Sequence, residues 1–162
     1  MALRKILTDG DPVLTKVSHP VEKFNERLGD LIDDMRETLL ESGGVGLAAP
    51  QIGILRRVVL VMDEEENIIE LVNPVLIHQE GEQTGLEGCL SVPGLYGEVT
   101  RPMKATVRAQ DRNGNWFEVS GEEIVARCFC HELEHLDGHL FKERVKGRLY
   151  TAEELDEMAE ES

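Results

Sequence analysis

The sequence predicts an α+β protein with largely antiparallel sheets around one central buried helix. Three observations point there. β-Branched runs joined by turn and hairpin signals fill positions 57–77 and 105–119. Positions 124–136 carry apolar residues at helical spacing on most of their circumference, as a buried helix does. The 162 residues are enough for one sizeable core but hardly for two.

Composition narrows the function classes. With 41% hydrophobic and 30% charged residues the chain reads as an ordinary soluble globular protein. It has no apolar run of membrane-spanning length and no secretory core near Met1, so the expected location is cytoplasmic. Three cysteines, an odd number, favour free thiols or metal ligands over disulfides. A net charge of −15 argues against general nucleic-acid binding, which needs Lys and Arg against phosphate.

In chain order, Asp9-Gly10-Asp11-Pro12 marks a turn. Phe24, Leu28, Leu31, Ile32, Met35 and Leu39 follow a helical period that Gly43 and Gly44 close. The small-residue run from Gly44 to Gly53 lacks a Walker lysine and G-x-G-x-x-G, so it is not a nucleotide loop; it lets backbone approach a ligand closely. Strands are expected from Arg57 to Met62 and from Ile68 to Val72, across an acidic turn. Asn73-Pro74 should interrupt the second, which resumes from Val75 to Ile77, and Glu87 to Gly94 should be irregular around Cys89. Asn113-Gly114 joins strands at Ala105–Ala109 and Trp116–Val119. Lys142, Arg144, Lys146 and Arg148 alternate, and would share one face of an exposed edge strand. Residues 1–150 thus read as one domain, and 151–162 as an acidic tail, a short helix or frayed.

The central helix carries the chemistry. Ser120-Gly121-Glu122-Glu123 has the form of a capping box, and Gly138 suits a left-handed stop. Between them Ile124, Cys128, His131 and His135 form one stripe, with Glu123, Arg127, Cys130 and Glu134 on the more polar side. His131-Glu132-Leu133-Glu134-His135 is H-E-x-x-H: the histidines, four residues apart, reach one metal ion. Glu132, about 100° round the helix, is placed to touch a water on that metal.

A catalytic site of this kind wants a third ligand and an open position. Phe141 stands where an extended metzincin pattern needs His, and Glu154 matches gluzincin spacing only within an acid-rich tail. His139 lies beyond the terminating glycine. Cys128 is on the metal face, but roughly 10 Å along the axis from His135. Cys89 can be brought in from outside the helix. Spacing favours Cys89 and leaves Cys128 open.

Three segments, Gly44-Val45-Gly46-Leu47-Ala48-Ala49-Pro50-Gln51, Glu87-Gly88-Cys89-Leu90-Ser91 and Cys130-His131-Glu132-Leu133-Glu134-His135-Leu136, resemble the three motifs of bacterial peptide deformylases. The likeness runs from Asp11-Pro12-Val13-Leu14 to Leu140-Phe141. It implies removal of the formyl group from N-terminal formylmethionine of nascent peptides. It also implies Cys89, His131 and His135 as ligands of a divalent ion, usually Fe2+, with Zn2+, Ni2+ or Co2+ as alternatives. Glu132 is then the acid/base, and Gln51 and the Leu90 amide face the developing oxyanion. Val45, Gly46, Ile124 and Cys128 are the expected lining of the methionine slot, with Gly44 and Gly46 keeping the pocket tight around formyl.

The chain departs from that pattern at Glu134, usually Asp, and at Cys130, often Gln. Its acidic tail also differs from the basic C-terminal helix by which some members make transient ribosome contact. Two other readings compete: a general H-E-x-x-H peptidase, told apart by cleavage of internal peptide bonds, and a zinc-stabilised binding domain, told apart by a metal without exchangeable water.

Overall fold

The structure is a computed structural model and describes residues 2–161. Helix α1 (Glu26–Ser42) forms where the apolar period placed it, with Phe24 just before its start. Asn25 caps it by accepting from the Leu28 amide, and Gly43 ends it at φ 72°.

Strands β1 (Gly46–Ala48), β2 (Val58–Met62), β3 (Ile68–Glu80), β6 (Lys104–Gln110) and β7 (Trp116–Glu122) make one antiparallel sheet in the order β1-β2-β3-β6-β7. Strand β2 is buried on both faces, which is why Val58 to Val61 is continuously apolar. Val58 and Leu60 pack under α1 with Leu47 and Val72. Val59 and Val61 face the other way, with Ala48, Leu71 and Val107, onto helix α2 (Ile124–Leu136). The metal-motif helix is therefore fixed by a whole sheet face through Val125, Ala126, Phe129 and Leu136.

A second sheet, β4 (Gln83–Cys89), β5 (Val92–Arg101) and β8 (Lys146–Thr151), has β5 in the middle. Helix α3 (Ala152–Glu160) follows, capped by Thr151 and with no fully buried residue. Among the described residues no helix is long and apolar enough to cross a membrane.

Several sequence expectations need correction. The Ser120–Glu123 capping box does not form. Ser120 to Glu122 run on in β7, Ser120 Oγ pairs with Thr106 Oγ1 at 2.7 Å, and α2 starts after Glu123 with no side-chain cap. Asn73-Pro74 does interrupt the pairing of β3, which resumes at Val75 as expected. Asn73 adopts φ 51° and bonds Val21 and Gln110, stapling the register shift in place. Glu87–Cys89 closes strand β4, with a register shift between Glu87 and Cys89, and Leu90-Ser91 turn before β5. The four alternating basic residues do not share one strand face: Lys142 and Arg144 lie in a short 3-10 turn, bound to Asp9 and Glu134. Arg127 and Cys130, expected on a polar side, are buried: Arg127 reaches the Val99 carbonyl of the second sheet, and Cys130 belongs to the core between α2 and the first.

Candidate metal centre and catalytic site

Gly88 and Cys89 end β4 at the foot of a cavity of about 480 Å³, whose lining includes Gly46, Gln51, Leu90, His131 and Glu132. The packing of α2 delivers His131 and His135 to the same place. The ligating atoms of Cys89, His131 and His135 all lie within 4.8 Å of one another. Cys89 Sγ is 3.4 Å from His135 Nε2. Donors set about 2.0–2.3 Å from a shared tetrahedral ion stand roughly this far apart. One thiol and two imidazoles form a soft-to-borderline donor set that fits a divalent transition metal. Glu154 is no part of it; the residue is paired with Arg148 at the surface. His139 is likewise exposed and faces Glu143.

Cys128, the alternative ligand, is buried with its thiol turned to the Val45 carbonyl, 3.5 Å away. Burial, with Glu132 adding to it, raises that thiol well above its ordinary value, so it remains a neutral S–H. It stands outside the three-donor cluster.

Each histidine is held from a different side. His131 Nδ1 lies 2.8 Å from Glu87 Oε1, which leaves Nε2 to face the cluster. Burial would lower this ring, but Glu132, Cys89 and Glu87 raise it to about 10. The pocket therefore favours a positive charge at that point. Burial and His131 push His135 down to about 3, so its ring is neutral, the form that ligates a metal.

Glu132 is buried beside them, with Oε2 3.9 Å from His131 Nε2. Its Oε1 has no hydrogen-bond partner among the described residues, as expected of a group whose partner is a reactant. Burial, reinforced by Glu87, pushes its pKa up to about 7. A carboxyl there both takes and gives a proton near neutrality.

Gln51 is fixed in a tight turn after β1. Its Oε1 accepts from the Ala48 amide at 2.9 Å, and its Nε2 faces Ser91 Oγ at 3.1 Å and Cys89 Sγ at 3.6 Å. Leu90 lines the cavity, with its side chain against Gly44. Val45 and Ile124 stand half-exposed at the mouth, and Cys128 deeper within. All the predicted site residues but His135 appear in the cavity lining, and His135 lies just beneath.

Sequence reading assigned no role to several residues that shape the site. Glu87 faces inward beside Cys89, and a period of two along β4 puts them on one face, a usable signal. Arg101 and Arg127, which bind Glu87, come from other elements and carry no local signal. Ser91 and Tyr96 also border the site.

A family model for polypeptide deformylases matches residues 3–149. The peptide deformylase of Agathobacter rectalis is 55% identical over 150 residues, 93% of this chain and 94% of that protein. That of Caldanaerobacter subterraneus is 50% identical over 160 residues, 99% of each. A crystal structure of a peptide deformylase from Legionella pneumophila superposes with a TM-score of 0.85 at 41% identity, covering 98% of this chain and 96% of that one. The Thermotoga maritima peptide deformylase gives 0.87 at 36% identity, covering 91% and 100%.

Proposed function

The chain belongs to the polypeptide deformylase family and is a hydrolase of that kind, and we propose that it takes the formyl group off the formylmethionyl ends of newly made proteins in the cytoplasm, releasing formate. In this reading Cys89, His131 and His135 hold a divalent ion, Fe2+ in the cell. Residues 1–150 act as the catalytic unit, and 151–162 are an acidic tail, unlike the basic helix by which some members of the family contact the ribosome. The observation that carries the reading is the convergence of those three donors within 4.8 Å at the foot of the cavity, with Glu132 buried alongside.

A bound divalent ion supplies Lewis acidity, acidifying water and polarising the formyl oxygen. The chain's residues do the rest. Glu132 takes the proton of the attacking water and delivers it to the leaving amine, a role suited to its raised pKa of about 7. Gln51 Nε2 and the Leu90 amide donate to the oxygen as charge grows there, each worth roughly 3–4 kcal/mol in comparable sites. Gln51 arrives preorganised, because Ala48 and Ser91 fix its amide. Val45, Ile124 and Cys128, with Leu86 opposite, wall an apolar slot for the methionine side chain. The peptide lies extended between β1 and β4, each the edge strand of its sheet.

The test is formate release from a formyl-Met peptide by metal-replete protein, wild type and Glu132→Ala. Glu132→Ala should keep its metal and lose at least about a hundredfold in kcat. Near-normal turnover by that variant, or cleavage of internal peptide bonds by the wild type, overturns the assignment.

A further inference from the structure

From Glu87 in the wall of the cavity, behind the candidate metal ligands, to the surface beyond α2 runs a line of charges that the proposed reaction does not use. Glu87 takes Arg101 Nε and Nη2, both at 2.9 Å, together with Arg127 Nη1 and His131 Nδ1. Arg101 turns its remaining nitrogen, Nη1, to one oxygen of Glu134. The other oxygen of Glu134 accepts from Arg144 Nε. The line is therefore Arg144–Glu134–Arg101–Glu87–His131, ending on the imidazole of a metal-ligand candidate. Its inner members are sealed from water: the Arg101 side chain is 3% exposed, Glu87 5% and Glu134 16%, against 58% for Arg144.

The geometry points to Glu134 as a positioning residue for His131, acting through Arg101 and Glu87, with Arg144 as its outer anchor. This rests on the metal-centre reading above. Glu87 receives more donors than it has oxygens, so where its carboxylate sits depends on where Arg101 sits. Arg101 emerges from β5, on the other sheet, and two of its three nitrogens are spent on Glu87. Only Glu134 ties its third nitrogen back to α2, three residues along from His131. Arg127, also on α2, holds Oε2 of Glu87, but the Oε1 that meets His131 Nδ1 is shared with Arg101 Nη2. Without the Glu134 tie Arg101 can therefore follow β5 and draw that oxygen away from Nδ1. The segment after α2 takes part as well, since Arg144 leaves its 3-10 turn to close the line. Glu is long enough to span Arg101 and Arg144 together, which gives this chain's departure from Asp a physical purpose.

Outer partners of ligating histidines typically change metal affinity by about 10–100-fold. The experiment is titration of metal-free protein with Co2+ against a competing chelator, read by the sulfur-to-cobalt charge-transfer band, with thermal melts of the metal-free proteins alongside. Glu134→Gln keeps the shape and removes the charge, and should weaken Co2+ binding by about tenfold. Glu134→Asp restores the charge and should recover to within about threefold of wild type. Glu134→Gln binding within twofold of wild type overturns the proposal, whatever happens to the melting temperature, and so does a Glu134→Asp as weak as Glu134→Gln. Should Glu134→Gln not fold, Arg144→Gln at its exposed position decides: about a threefold loss supports the line and none overturns it. A wild type that takes up no Co2+ overturns the metal centre itself, a result distinct from any of these.

Discussion

At Gly46 an ideal Cβ would lie 2.5 Å from Glu132 Oε2, 2.7 Å from Cys128 Sγ and 2.9 Å from Glu132 Cγ. Contacts this short cannot stand, so Gly46→Ala must swing the Glu132 carboxylate off its position, toward the cavity that it lines. Displacements of about 1 Å in a catalytic group cost up to about a hundredfold in rate. Gly46→Ala should therefore retain stoichiometric metal while kcat falls by at least about tenfold; an unchanged kcat would show that Glu132 tolerates the shift. The glycine thus makes room for the Glu132 carboxylate, a more specific task than the tight pocket its motif suggested. The cysteines separate at the same scale. Cys89→Ser exchanges a thiolate donor for a weak, mostly protonated one, and should lose metal and activity together. Cys128→Ser places a hydroxyl where a neutral thiol meets the Val45 carbonyl, and should keep its metal at a cost of about 1–2 kcal/mol. Metal content of the two variants, prepared anaerobically, reads the difference. A metal-free Cys128→Ser beside a loaded Cys89→Ser would reverse the ligand assignment.

Helix α2 begins without the help its sequence advertises. Glu123, the last residue before it, sits at φ 53° and ψ −118°, a conformation that suits glycine. Its amide donates to Met103 O, and its carbonyl accepts from Arg127 N and Gln83 Nε2, so the backbone is pinned there from three sides. Such strain costs of order 1–3 kcal/mol, and glycine returns part of the gain as chain entropy. Glu123→Gly should stabilise the protein by about 1 kcal/mol, or about 2–4 °C in melting temperature; a lower melting temperature would show that the Glu123 side chain contributes more than its backbone strain costs. The false capping box and this strained start have one origin. Ser120 and Glu122 belong to β7, which pairs with β6 right up to Lys104, so the ladder claims the residues that would otherwise cap. A local motif cannot reveal that competition. The misreading of β4 is of another kind. Its inward positions are Gln83, Gly85, Glu87 and Cys89, while Leu86 points out, because this face meets His131, His135 and the arginines around Glu87 and not a hydrophobic core. Strands found by apolar alternation are legible only where the buried face is apolar. Helix α1 and strands β2, β6 and β7 met that condition; the strand that delivers Cys89 did not. H-E-x-x-H was legible because its chemistry is contained within one helix. Glu87, Arg101 and Glu134 meet only in three dimensions.

On the scale of the whole molecule a charge of −15 works against compactness, and the fold answers it with specific pairings. Asp34 on α1 is one of them. It accepts from the Ala2 amide at 2.8 Å and from Arg4 Nε at 2.9 Å, so it ties the N-terminal segment to the helix. Burial would raise its carboxyl, but the hydrogen bonds from Arg4 and Ala2 outweigh burial and hold it below the usual 3.8. Acidification therefore has two opposed effects: general protonation of carboxylates relieves repulsion, while protonation of Asp34 breaks its tie. The sign for Asp34 is fixed by linkage. Its folded-state pKa lies below the unfolded value, so its contribution is fully present above the unfolded value and is lost as pH falls through the folded one. Asp34→Asn removes the charge at every pH. At pH 7 it should melt lower than wild type by about 3 °C, equivalent to about 1 kcal/mol for a partly exposed charged hydrogen bond in a domain of this size. The gap should hold between about pH 6 and 8, shrink once the pH drops below about 4, and close where Asp34 itself is protonated. Paired thermal melts across that range read it directly. A gap that persists at the acid end would mean that the shape of Asp34, and not its charge, anchors the N-terminal segment.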